Sequence, residues 1–342
     1  MDGVAMNDKI DVIVPWVDGS DPEWIRERDA RSLIYGAEKK SLSSIRFQSW
    51  DNMRYWFRAI ERFMPWINKV FFVTWGHLPE YLNEKSPRLR IVKHEEYIPN
   101  EYLPTYNSNT IEMNYHRIEE LSENFIIFND DFFPLQPIDE TYYFKDNLVC
   151  DEAVEGHITP VETGAISNMA RYVQVNNMII INKHFKKREV QKQNWDKWYN
   201  SDYGELLERT KSLNYWYDFA GFRDPHMPSA MKKSVLSYLW QIEGELLDRA
   251  SMNHFRSYND VSQYLIRYWQ LCSGKFNPRR TLGKFYQVDL SNYEEVARDI
   301  EEQKYQMISI NEHCSPEEFT IIKSRMNKAF DAILHEKSEF EV

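Results

Sequence analysis

Four short apolar runs, three of them ending in a loop of polar and turn-forming residues, constrain the fold of this chain more than anything else in its sequence. Asp11-Val-Ile-Val-Pro-Trp-Val17 stops at the dense turn signal Asp18-Gly-Ser-Asp-Pro22. Lys69-Val-Phe-Phe-Val-Thr74 runs into Trp75-Gly-His-Leu-Pro79, and Leu89-Arg-Ile-Val-Lys93 follows. Asn124-Phe-Ile-Ile-Phe128 is succeeded at once by Asn129-Asp130-Asp131. Runs this short and rich in β-branched and aromatic residues read as buried strands. Helical spacing at 24–44, 50–64 and 107–122 separates them. Alternation of strand and helix predicts an α/β fold with a Rossmann-like, largely parallel sheet. Such sheets bind ligands at the carboxyl ends of their strands, where the polar loops lie.

The later sequence is more polar and helical. Residues 186–216 read as an inserted helical region carrying Trp195, Trp198, Tyr203, Tyr215 and Trp216. Helices are expected over 229–250, 256–272 and 315–335, with a late strand at 305–310 returning to the sheet. The chain divides into an α/β core at 1–145, a helical region at 146–280, and a returning strand and helix at 281–342.

Charge narrows the partners. The formal net charge is −11, which disfavours nucleic acid, whose binding needs basic stripes. A local basic cluster with a divalent ion could still take a nucleotide. The three cysteines are widely spaced and odd in number, which fits free thiols in a reducing compartment. No run approaches the ~18 apolar residues of a membrane span, and the first ten residues lack a signal peptide's pattern. A cytoplasmic protein is expected, and peripheral contact with the inner face of a membrane is compatible with that.

Five segments carry candidate chemistry. Asp130 and Asp131 offer hard oxygen ligands for Mg²⁺ or Mn²⁺, though a solvated turn explains a double aspartate equally well. Trp16, Asp18, Gly19, Ser20 and Asp21 could receive a base, ribose or phosphate; an ordinary strand-to-helix turn is the competing explanation. Asn107, Ser108 and Glu112 open a helix on which Glu112 and His116 fall four residues apart, as an active pair or as a surface cap. His226, between two prolines, could act as a general base or be structural. Arg256 could clamp a diphosphate, or simply pair with Asp260 four residues on.

These segments, in this order, resemble the Stealth family of phosphotransferases. That family includes bacterial capsular polysaccharide phosphotransferases and the catalytic part of the lysosomal-enzyme N-acetylglucosamine-1-phosphotransferase. Ile10 to Pro22 resembles its first conserved block. The stretch from Arg46 to Phe133, with Arg54, Asn107, Ser108 and Asn129, resembles the second. Asn177 to about Glu245, with Phe219-Ala-Gly-Phe222, His226 and Lys233, resembles the third, and Phe255 to Gly274, with Arg256, the fourth. Asp18 stands where many members carry Asn, and Glu312 where Asp is common.

The resemblance implies transfer of a sugar-1-phosphate from a UDP-sugar or similar donor to a hydroxyl of an oligosaccharide or polysaccharide acceptor. It implies Mg²⁺ or Mn²⁺ at Asp131, Asp130 and Glu312. Catalysis is implied for Asp131, His226 and Arg256. Donor contacts are implied for Trp16, Asp18, Gly19, Ser20, Asp21, Arg54, Asn107, Ser108, Glu112, Asn129 and Lys233. The residues by themselves leave two alternatives open: a metal-dependent glycosyltransferase, and a non-catalytic nucleotide-sugar or carbohydrate-binding protein.

Overall fold

A computed structural model describes residues 9–37, 49–160 and 164–342, with the side chains of 164–167 excepted. Part of the helix expected over 24–44 lies outside the described residues; the described part is the helix Pro22–Tyr35. The first strands are β1 (Ile10–Trp16), β2 (Val70–Thr74), β3 (Leu89–Lys93) and β4 (Asn124–Ile127). Then come β5 (Phe132–Pro134), β6 (Phe144–Lys145), β7 (Leu148–Asp151) and β8 (Ser229–Lys232). The last are β9 (Phe276–Pro278), β10 (Lys284–Val288) and β11 (Met307–Glu312).

The fold is α/β. The central sheet has the order β3-β2-β1-β4-β8. Its first four strands are parallel, and β8 runs antiparallel to β4. The order 3-2-1-4 is that of a Rossmann half-fold, which opens a crevice where the winding reverses, between β1 and β4. Two three-stranded sheets, β10-β11-β5 and β6-β7-β9, flank it. In the first of them β5 pairs antiparallel with β11, so the chain just after β4 is gripped by the late strand.

The apolar runs form strands because helices and loops cover both faces of the sheet. Val12, Ile13, Val14, Phe71, Phe72, Phe125 and Ile126 are fully buried. Each such side chain contributes roughly 1.5–3 kcal/mol relative to exposure. The helix Met53–Phe63 lays Trp56, Phe57 and Ile60 on this sheet, with the Phe57 and Phe72 ring centroids 5.7 Å apart. The helix Pro316–Ile333 starts at a Ser315/Glu318 capping box and buries Phe319, Ile322, Met326 and Phe330, one face at helical spacing. The C-terminal tail then returns to the core. Phe340 is fully buried, and the Glu341 carboxylate accepts two 2.7 Å bonds from Arg58.

Several elements differ from expectation. Residues 229–250 are strand β8 followed by the helices Lys233–Ile242 and Gly244–Ser251. The helix expected at 107–122 covers only Ser108–Met113, and that at 256–272 only Tyr264–Cys272. In the second case Asp260 takes bonds from Asn107 and Asn109 instead of joining a helical turn. Among the described residues, no helix is long and apolar enough to cross a membrane.

Candidate active site at the crevice between β1 and β4

The chain leaves β4 through Phe128 and turns at Asn129-Asp130-Asp131 before entering β5. That turn is fixed at both ends by sheet pairing, and Ile310 N donates to Asp131 O at 3.1 Å. Since β8 is antiparallel to β4, with Ser229 opposite Ile127, the segment before β8 arrives at the same sheet end. It carries His226. His226 Nε2 lies 3.2 Å from Asp131 Oδ2, which Ser309 Oγ also approaches at 3.3 Å. Asn311 Nδ2 stands 3.3 Å from the same ring nitrogen. Phe132 and Phe285 pack edge-on against the imidazole.

The backbone supports a deliberate placement. His226 has φ 52°, a left-handed conformation uncommon for a residue with a side chain and one that persists where surrounding structure imposes it. Burial works against a charged ring, yet Asp131 beside it, helped by Asn311 and Asp224, leaves the His226 pKa above its ordinary value.

The acidic turn is under-compensated. The Asp131 Oδ1 and Asn129 Oδ1 atoms are buried without a hydrogen-bond partner. Desolvation, then repulsion from Asp131 and Glu312, pushes the Asp130 carboxyl up to about 7. Asp130 faces the open crevice, where neighbouring walls crowd it although its surface is accessible. Among the described residues, no three His, Cys, Asp or Glu side chains converge into a ready-made metal cage.

Two adjoining cavities, of about 220 and 420 Å³, open on this turn. Ser108, Glu112, Asn129 and Arg256 line both and form the wall between them. The smaller is aromatic, with Trp16, Trp24, Trp75, Tyr106 and Phe255, and Asp130 at its base. The larger is polar, with Asn109, Arg171, Gln174, Asp224, His226 and Gln263. Arg256 Nη2 donates to Ser108 Oγ at 2.7 Å. Glu112 is 6 % exposed; burial pushes its carboxyl up to about 7, although Arg256 pulls the other way.

Asp260 does not pair with Arg256 in a simple ion pair. Its carboxylate accepts from Asn107, Asn109, Asn253 and the Ser257 amide, all within 3.0 Å. This knot ties the Arg256 loop to the start of the helix Ser108–Met113. Asn107 is therefore a buried bracket behind the cavities.

Other expected site residues are placed elsewhere. Asp18 folds back on its own turn, accepting from Ser20 N and Ser20 Oγ, and Asp21 caps the helix Pro22–Tyr35. Neither these nor Gly19 lines either cavity. Arg54 lies outside both, its guanidinium 4.7 Å from the Tyr81 ring centroid. Lys233 follows β8, so it emerges at the opposite end of the sheet, where its Nζ caps the carbonyls of Ile118, Glu119 and Leu121. His116 sits in the turn after Met113 and packs on Trp240, so it does not pair with Glu112. Glu312 ends β11, close enough to act on Asp130. Arg171, Gln174, Asp224 and Ser309 were not foreseen. Only Asp224, two residues before His226, carried a sequence signal.

Comparison with known proteins decides the family. Residues 8–36 match the model for Stealth conserved region 1, and residues 46–151 match that for conserved region 2. The capsular polysaccharide phosphotransferase WcwK of Streptococcus pneumoniae is 37 % identical over 335 residues, 98 % of each chain. This chain belongs to the Stealth family of phosphotransferases. The exopolysaccharide phosphotransferase cps2G of Lactiplantibacillus plantarum is 35 % identical, over 97 % of this chain and 96 % of its own. The receptor polysaccharide phosphotransferase WefC of Streptococcus oralis is 34 % identical, over 98 % and 99 %. As a Stealth member the chain is a phosphotransferase, and the crevice between β1 and β4 is its candidate active site.

Proposed function

We propose that this Stealth protein transfers a sugar-1-phosphate from a UDP-sugar or similar donor to a hydroxyl of an oligosaccharide or polysaccharide acceptor, in capsular or other cell-surface polysaccharide synthesis. The wall shared by the two cavities supports this reading best. A nucleotide-sugar needs an aromatic slot for its base, cationic and metal-binding groups at its diphosphate, and a polar chamber for sugar and acceptor. Those surfaces adjoin here in that order, with Arg256 between them.

In this reading the acceptor oxygen attacks the phosphorus attached to the sugar. The bond from that phosphorus to the bridging oxygen breaks, and nucleoside monophosphate departs with the bridging oxygen. An imidazole nitrogen that bonds to a carboxylate carries the proton, so Nε2–H faces Asp131 Oδ2, with the Asn311 amide turned to present its oxygen there, and the Nδ1 lone pair takes the acceptor's proton. Asp131 orients the ring and favours its charged form, the task of the acid in a Ser-His-Asp triad. A base so placed supplies about 10²–10⁴-fold. Arg256 steadies the phosphoryl oxygens, worth ~3–4 kcal/mol for one well-aimed donor.

The donor set fits a divalent cation. Mg²⁺ and Mn²⁺ take hard oxygen ligands, and Mg²⁺ is shared between one or two carboxylates and substrate phosphates. The unpartnered Asp131 Oδ1 and the repelled Asp130 carboxyl match that demand, so Asp131 and Asp130, with Glu312, would hold the ion. When bound, it would neutralise charge on the diphosphate and the departing monophosphate. A cytoplasmic setting, with peripheral contact at the inner membrane face, belongs to the same proposal and accords with three free cysteines.

Phosphorus NMR of reactions with a panel of nucleotide-sugars and an oligosaccharide acceptor tests this reading. A phosphodiester product with nucleoside monophosphate supports it. A glycosidic bond with nucleoside diphosphate replaces it by glycosyl transfer.

A further inference from the structure

Three of the tryptophans around the smaller cavity come from three separate segments: Trp16 ends β1, Trp75 follows β2, and Trp24 lies on the helix Pro22–Tyr35. One side chain behind the cavity touches all three segments. His77 Nε2 lies 2.7 Å from the Asp18 backbone nitrogen, and His77 Nδ1 lies 3.3 Å from Asp21 Oδ2. A backbone N–H can only donate, so Nε2 must accept and carry no proton. The proton of the neutral ring is then on Nδ1 and is donated to Asp21.

The clamp continues on both sides. Asp21 Oδ1 accepts from the amides of Glu23 and Trp24, so the carboxylate held by His77 also starts the helix that presents Trp24. The imidazole centroid is 5.3 Å from Trp16, nearly edge-on, and 5.5 Å from Trp75. His77 is itself held, because Thr74 Oγ1 donates to its carbonyl at 2.7 Å. Without the imidazole, the Asp18–Asp21 turn keeps its own local bonds and loses this link to the loop after β2. His77 is not among the residues lining the cavity.

We propose that His77 is a positioning residue that holds the Trp16, Trp24 and Trp75 walls in register and thereby sets affinity for the nucleotide half of the donor. This rests on the reading of the smaller cavity as the nucleotide slot. The residue reaches no reacting atom, so its loss falls on donor binding and leaves the chemical step alone.

The test titrates UMP, CMP, AMP and GMP into the full chain, following tryptophan fluorescence, for wild type, His77→Ala and His77→Gln. Donor and acceptor kinetics accompany it. For the nucleotide that wild type prefers, His77→Ala is expected to weaken Kd about tenfold, the effect of one or two lost hydrogen bonds. Donor KM should rise in step, with kcat and acceptor KM nearly unchanged. The amide of His77→Gln can accept from Asp18 and donate to Asp21, and should restore most of the affinity. Equal nucleotide affinity in wild type and His77→Ala, or a fall in kcat at unchanged donor KM, overturns the proposal. If wild type binds none of the four, the nucleotide reading of the cavity fails first and takes this inference with it. Should His77→Ala not fold, ¹⁵N NMR of the wild-type imidazole decides: His77 must show the Nδ1–H tautomer and shift on nucleotide addition. A ring protonated at Nε2 refutes the clamp.

Discussion

The chain gathers carboxylates in two places and treats them oppositely. Around Arg267, which is fully buried, every guanidinium N–H has an acceptor. Asp151 takes two bonds, Asp224 one, and the carbonyls of Arg223 and Glu152 one each. At Asn129-Asp130-Asp131 the negative charges repel each other and two buried oxygens have no partner. Buried charge is tolerable when its partners are complete and costly when they are not. The first region reads as scaffold, finished within the fold. The second reads as a site whose missing charge a ligand brings. Asp224 joins them, since it also accepts from Tyr268 and Gln174 and lines the larger cavity.

The sharpest way to break the comparison is at His226. His226→Ala should lower kcat about 10²–10⁴-fold, while urea unfolding moves by no more than about 1 kcal/mol, as is common when a strained functional residue is removed. Asp131→Asn should follow it in activity and lose none of the fold's stability. A large loss of stability in either would place this cluster with the scaffold. Arg267 should behave the other way. Arg267→Met strands two carboxylates, and breaking a buried pair from one side costs about 3–5 kcal/mol. Urea denaturation reads that loss directly. A variant that unfolds normally would show that the Arg267 network is dispensable to the fold.

The same contrast explains what the sequence could convey. The parallel strands were legible to within a residue or two because burial on both faces demands unbroken apolar runs such as Val12-Ile-Val14 and Phe71-Phe-Val73. Asp131 was legible as the residue delivered by such a run. β8 was not legible, because Ser229-Ala-Met-Lys232 contains no β-branched or aromatic residue and is joined directly to a helix. Its strand state is set by pairing with β4. That short antiparallel step, about 13 Å of chain, separates His226 at the crevice from Lys233 at the far end. The sequence puts both in one segment, His226 as a candidate general base and Lys233 as a donor contact implied by the family resemblance. Residue type was readable there and direction was not. Likewise the roles of Asp18 and Asp21 were decided by neighbours in space: a turn for one, a helix cap and His77 for the other.

Glu112 offers the mildest test, because it belongs to neither extreme. It is a buried carboxyl in the cavity wall, and Arg256 offsets only part of its desolvation. Burial pushes its pKa in the folded chain up to about 7, above the ordinary carboxyl value of about 4.5. A group raised in this way leaves stability intact below the unfolded value, and stability is lost as pH climbs through the folded one. Glu112→Gln removes that titration. The variant should therefore exceed wild type by about 1 kcal/mol near pH 5 and by about 3 kcal/mol near pH 8, given 1.36 kcal/mol per pKa unit. Urea unfolding of both proteins at the two pH values measures the difference. A gap that does not widen between them would mean that Glu112 is ionised and compensated by Arg256, which moves the cavity wall to the scaffold side of the comparison. A gap that widens as expected would mean that the wall, like the acidic turn below it, keeps an electrostatic strain that the fold leaves unrelieved.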